Sequence, residues 1–100
     1  MNILVADLFS QDGIAEMKKM GHNVVYEPKV VGPAFVAKIA EVKPTVLVVR
    51  SKQVTKEAID AYAKLEMIIR AGAGYDTIDV DYASKRGIYV CNCPGTLPNQ

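Results

Sequence analysis

The sequence has no tryptophan, a single histidine and only two cysteines among its 100 residues. Cys91 and Cys93 are too few and too close together to staple a fold, which excludes a disulfide framework and makes a reducing compartment the simplest setting. One intervening residue rather than two also gives neither a redox pair nor half of a zinc site. With His22 alone beside Gly21 in a turn, no metal site is expected. Charge of one sign is lacking as well. Twelve basic residues stand against eleven acidic ones, a net charge of +1, which provides no electrostatic footprint for nucleic acid or an anionic membrane. No apolar run nears the roughly 18 residues of a membrane span. Met1-Asn2-Ile3 enters its first apolar run without the basic start of an export signal, so a cytoplasmic location is expected. What is present is apolar content: half of the residues. A chain of this length makes one compact domain that buries roughly 60–70% of its unfolded surface.

The apolar residues fall into short β-rich runs alternating with helical stripes. Residues 3–6 are continuously apolar, as in a strand buried on both faces of a parallel sheet. Ser10 can cap a helix with Ile14 and Met17 on one stripe and Gly21 as its stop. Residues 23–26 form a second strand, and Gly32-Pro33 opens a helix carrying Phe35, Val36, Ile39 and Ala40 until Pro44 ends it. Residues 45–49 are the most β-branched run and predict a central strand. Thr55 caps a third helix bearing Ala58, Ile59, Tyr62 and Leu65. Residues 67–69 make a fourth strand, Asp79 caps a fourth helix ending at Lys85-Arg86-Gly87, and residues 88–91 make a fifth strand.

Five strands alternating with four helices predict an α/β fold, a flavodoxin-like open parallel sheet of order 2-1-3-4-5 with helices on both faces. A fifth helix would normally cover the last strand. Residues 96–100 are polar and Pro-broken, so the domain is expected to be truncated at its C-terminus.

Ligands of such sheets bind outside the carboxyl ends of the strands. Two loops there carry chemistry. Arg50-Ser51 follows the central strand and offers a planar fork of donors beside a hydroxyl, suited to a carboxylate or phosphate. Gly72-Ala73-Gly74 follows the fourth strand, and its alternate glycines let successive backbone N–H groups line one concavity. In the order 2-1-3-4-5 these loops emerge side by side, which predicts one cradle for an organic acid. The bland alternatives are a simple chain reversal for the glycines and a surface ion pair for Arg50. Gly72-x-Gly74 is not a dinucleotide fingerprint, because Thr77 stands at the third glycine position. Asp76, Asp79 and Asp81 lie close enough to suggest a metal loop, but helix capping explains Asp79 and Asp81 more economically. Asp7 after the first strand superficially fits the acidic pocket of a phosphoreceiver module of the same topology. The third strand of such a module needs an aspartate where this chain has Arg50.

Val49-Arg50-Ser51, Arg70-Ala71-Gly72-Ala73-Gly74-Tyr75-Asp76-Thr77-Ile78-Asp79, Lys85-Arg86-Gly87-Ile88 and Asn92-Cys93-Pro94-Gly95 occur in this order at suitable spacing. Together they resemble the amino-terminal segment of the D-isomer-specific 2-hydroxyacid dehydrogenases, over essentially the whole chain, and most of all the members acting on 3-phosphoglycerate. The resemblance implies an NAD-dependent oxidoreductase. Residues 1–100 would be an incomplete substrate-binding (lid) domain, with no NAD-binding domain in the chain. It implies that Arg50, Ser51, Gly72, Ala73 and Gly74 hold the substrate and that Ala73 also approaches the cofactor. The family's catalytic histidine, glutamate and arginine have no counterpart here. The family usually assembles as homo-oligomers through its nucleotide-binding half, so this segment alone is expected as a monomer or weak dimer. Thr77 stands where the family more often has Asn, and residues 96–100 lack the Asn-Ser pair common in phosphoglycerate members and resemble some glyoxylate and hydroxypyruvate reductases.

Overall fold

The computed structural model describes residues 1–71 and 78–92. Its elements alternate strictly: β1 (Asn2–Val5), α1 (Gln11–Lys19), β2 (Asn23–Tyr26), α2 (Pro33–Val42), β3 (Val46–Val49), α3 (Lys56–Asp60), β4 (Met67–Arg70), α4 (Val80–Lys85) and β5 (Tyr89–Asn92). The strands pair in parallel in the order β2-β1-β3-β4-β5, as the alternation predicts. Three of the helix starts fit their sequence signals. Ser10 and Thr55 accept from Gly13 and Ala58 N–H, and Asp79 accepts from Tyr82 N–H. Each bond satisfies a donor that the first helical turn leaves open. Pro33 occupies the first turn of α2, where its missing N–H costs nothing.

Two expectations need correction. The third helix is a single turn and a half, so Tyr62 and Leu65 lie beyond it, although Leu65 is buried and Tyr62 packs against the core. Ala40 is exposed, because on α2 only Phe35 and Ile39 are fully covered by the sheet. The helix itself ends at Val42, two residues before Pro44. Lys43 takes a left-handed conformation at its C-cap, and its N–H bonds to the Ile39 carbonyl.

Pleating divides the sheet residues between two cores. Leu4, Ala6, Leu47, Val49 and Ile68 face α2, α3 and α4, joining Phe35, Ile39, Ala58, Ile59 and Ala83 in the larger cluster. Ile3, Val5 and Val48 face the other way, where Met17 of α1 and Phe9 cover them. This division follows from handedness. A right-handed crossover from β1 leftward to β2 puts α1 on one face, and the rightward crossovers put the other helices on the opposite face. Among the described residues α1 is the only helix on its side. Ile69 and Cys91 are accordingly half-buried there, and Tyr89 is 72% exposed.

The interior position of Leu47, between β1 and β4 with no exposed surface, generates a stability prediction. Leu47→Ala is expected to cost about 2–5 kcal/mol, the range for deleting a fully packed aliphatic side chain, as read from urea unfolding of the chain. A loss under about 1 kcal/mol would show that the larger cluster does not hold the sheet together.

Candidate functional site

The carboxyl ends of β1, β3 and β4 lie next to one another, so the loops that leave them share one edge. Order reverses between β1 and β3, the switch point at which open α/β sheets usually receive a ligand. Here that point is filled by the chain's own carboxylate. Asp7 Oδ2 accepts three consecutive backbone N–H groups, from Arg50 at 3.0 Å, Ser51 at 2.8 Å and Lys52 at 2.9 Å. Its Oδ1 accepts the Leu8 N–H at 2.9 Å. Partial burial works to raise the Asp7 pKa, but the amides of Leu8, Ser51, Arg50 and Lys52 outweigh it and hold the carboxyl below the usual aspartate value.

Lys52 pins the same turn from its other side. Its ammonium donates to the Val30 carbonyl in the loop after β2 and sits 5.6 Å from the centroid of the Phe35 ring. Asp7, Gly32, Phe35, Ser51, Lys52 and Gln53 surround a cleft of about 370 Å³ between these loops. Arg50 lies outside that lining. It is exposed, and its guanidinium makes no ion pair or hydrogen bond among the described residues. Ser51 is exposed beside it.

The loop after β4 runs against the loop after β3 at both of its ends. Val49 pairs with Arg70 in the sheet, and Ala71 N–H donates to the Val49 carbonyl at 2.7 Å. Farther on, Val54 and Ile78 form a parallel bridge, and Asp79 N–H donates to the Val54 carbonyl at 3.1 Å. The predicted cradle residues Gly72, Ala73 and Gly74, with Asp76 and Thr77, lie outside the described residues, as does Cys93. Arg50 follows directly on Val49, against which that segment begins, whereas the far end of the segment meets the chain at Val54. Among the described residues no group of three or more His, Cys, Asp or Glu side chains is arranged to hold a metal, and no helix is long and apolar enough to cross a membrane.

The site was only partly visible beforehand. In the sequence Asp7 resembles only an acid of a phosphoreceiver pocket, and Lys52 carries no motif signal. The available signal was positional: an aspartate closing β1 must sit beside the turn leaving β3 once those strands are neighbours, and that turn has free amides to satisfy.

Residues 3–100 match the model of the D-isomer specific 2-hydroxyacid dehydrogenase catalytic domain. The chain belongs to this family. Among curated members it is 38% identical over 96 residues to the D-3-phosphoglycerate dehydrogenase of Archaeoglobus fulgidus, covering 95% of this chain and 18% of that protein. It is 33% identical over 97 residues to the glyoxylate reductase of Thermococcus litoralis, covering 95% of this chain and 29% of that one. The NAD+-bound 3-phosphoglycerate dehydrogenase of Entamoeba histolytica superposes with a TM-score of 0.80 at 32% identity, over 95% of this chain and 33% of that structure. The chain thus spans between about a fifth and a third of the length of these family members.

The Asp7 bonds predict a pH dependence with a definite sign. A carboxyl held lower in the folded state contributes stability above its unfolded value of about 3.9 and loses it as pH falls through the folded value. Asp7→Asn is expected to lower stability by about 1–2 kcal/mol near neutrality, a modest sum because the turn is exposed to solvent. The deficit should shrink as pH falls through the lowered folded value of Asp7, where the carboxylate loses its charge. Denaturant unfolding across that range tests it, and a deficit constant with pH would refute the charge assignment.

Proposed function

We propose that this chain is the substrate-binding (lid) portion of an NAD-dependent oxidoreductase acting on a D-2-hydroxy acid. The observation that carries the reading is the exposed Arg50 guanidinium, without an ion-pair partner among the described residues, at the β3/β4 edge next to the entry of the glycine-bearing loop. In this reading Arg50 grips the substrate carboxylate through two parallel charge-assisted bonds. Ser51 adds a hydroxyl, and the amides of Gly72, Ala73 and Gly74 complete the cradle. Such fixing turns an encounter between substrate and cofactor into a reaction between held partners. Family membership supports the reaction class, interconversion of a 2-hydroxy and a 2-oxo acid.

The dinucleotide does not fit the described residues. A pyrophosphate takes the β1/β3 switch point of a nucleotide-binding sheet, and here the Asp7 carboxylate occupies those amides and would repel it. NAD is accordingly assigned mainly to residues outside this chain, with Ala73 the position nearest to it. The chain would then contribute substrate orientation and no proton or hydride step.

For the substrate, the preferred assignment is 3-phosphoglycerate, oxidised to 3-phosphohydroxypyruvate in cytoplasmic serine synthesis. It rests on the phosphoglycerate dehydrogenases among the relatives and on the Arg50 and Gly72-x-Gly74 motifs. Glyoxylate or hydroxypyruvate reduction is the second reading, supported by the glyoxylate reductases among the relatives and by residues 96–100. The whole protein is expected to act as a homo-oligomer.

Two measurements test the reading. In the whole enzyme Arg50→Lys keeps the charge but loses the fork, and should raise KM for the 2-oxo acid about tenfold with kcat little changed. Unchanged kinetics would remove Arg50 from the site. The 100-residue chain alone should show no NAD-dependent turnover of phosphoglycerate or glyoxylate. Measurable turnover would mean that the reacting groups lie within it.

A further inference from the structure

We infer that Asp7 is the positioning residue of the substrate cradle: an internal carboxylate that occupies the anion-binding curve of the 50–52 turn and so leaves recognition on that loop to the Arg50 side chain. This rests on the function proposed above. Its physical content can be tested without that function.

Three successive backbone N–H groups converge on one carboxylate oxygen. Successive amides directed at one point form a concave curve that attracts anions, and protein loops commonly use such curves for phosphates and carboxylates. Here the curve is closed from within, by a residue 43 to 45 positions earlier in the chain. A substrate carboxylate approaching the loop therefore finds those donors spent and a negative charge behind them. What the loop still offers is the guanidinium of Arg50 and the hydroxyl of Ser51.

The same bonds set where that guanidinium starts from. Among the described residues nothing holds the Arg50 side chain, so its reach is governed by its own backbone. That backbone is fixed by the Asp7 carboxylate at residues 50, 51 and 52, and by Lys52 through Val30 and Phe35. The Lys52 ammonium is committed to that carbonyl and ring, and it makes no ion pair with Asp7. Amides, not a neighbouring cation, hold the aspartate charged. As a carboxylate Asp7 carries no proton, and its Oδ2 is engaged by the amides of residues 50–52. Its effect should fall on binding of the acid rather than on the chemical step.

The internal-ligand claim has a direct test. Removing the carboxylate should open the curve to an external anion of the same shape. The 100-residue chain, labelled with nitrogen-15, is titrated with formate and followed at the amides of residues 50, 51 and 52. Asp7→Gly is expected to show saturable shifts at all three amides, and the unsubstituted chain none. Should Asp7→Gly fail to fold, Asp7→Asn decides. The three amides of the unsubstituted chain should move together in one acid titration, and in Asp7→Asn that shared titration should vanish. Formate acting equally on both chains, formate leaving a folded Asp7→Gly unmoved, or three amides with unrelated midpoints would each overturn the inference.

The positioning role is read in the whole enzyme. Asp7→Asn should raise KM for the 2-oxo acid about five- to tenfold with kcat within about twofold, and should add little to Arg50→Lys in the double variant, because both act on one contact. Additive effects, or an unchanged KM in Asp7→Asn where Arg50→Lys raises it, would defeat the positioning role. If Arg50→Lys leaves KM unchanged, the cradle reading fails while the amide titrations still report on the internal ligand.

Discussion

The carboxyl edge of this sheet is organised by the meeting of one carboxylate oxygen with three consecutive amides. A turn leaving a buried parallel strand has backbone donors that the sheet no longer satisfies, and an exposed turn with unmet donors has many conformations of similar energy. Asp7 removes that freedom at residues 50–52. Lys52 extends the constraint to the loop after β2, and the Val54–Ile78 bridge carries it to the loop after β4. Four loops that diverge in sequence, those after β1, β2, β3 and β4, are thereby linked to one another. The position of Arg50 is a consequence of that linkage.

An open α/β sheet offers its switch point as a ready anion site, and related topologies place phosphates there. This member of the 2-hydroxyacid dehydrogenase family closes the switch point with its own acid. The effect is to displace the candidate site by one strand, from β1/β3 to β3/β4, and to change the means of recognition there. A backbone curve accepts any small anion, whereas a guanidinium fork demands a planar, two-oxygen partner. The displacement accords with a substrate-binding role and with the poor fit of a dinucleotide to the described residues.

The larger core explains why the edge can be so ordered in a chain of this size. Leu4, Leu47 and Ile68 are completely covered and lie side by side across β1, β3 and β4, the strands whose loops form the site. The opposite face over β4 and β5 is less well covered, and Tyr89 stands exposed on it. Burial is thus most complete beneath Asp7 and Arg50 and decreases toward the edge strand β5.

Much of this was legible in the amino-acid order. Alternating apolar runs and stripes, the caps Ser10, Thr55 and Asp79, and the β-branched run before Arg50 determined the element order, because local backbone preferences and burial periodicity act over a few residues at a time. Strand order followed from handedness, and the family from four motifs in register. Helix length and burial were less legible. Tyr62 and Leu65 continue the helical spacing yet lie beyond the helix, although Leu65 is still buried in the larger core. The role of Asp7 was decided by tertiary structure alone. An aspartate after a strand can cap, bind metal or face solvent, and only the approach of β3 to β1 brings the amides of residues 50–52 to its oxygen. Sequence specifies which groups exist and their local geometry; a bond spanning more than forty residues depends on packing that no local preference encodes.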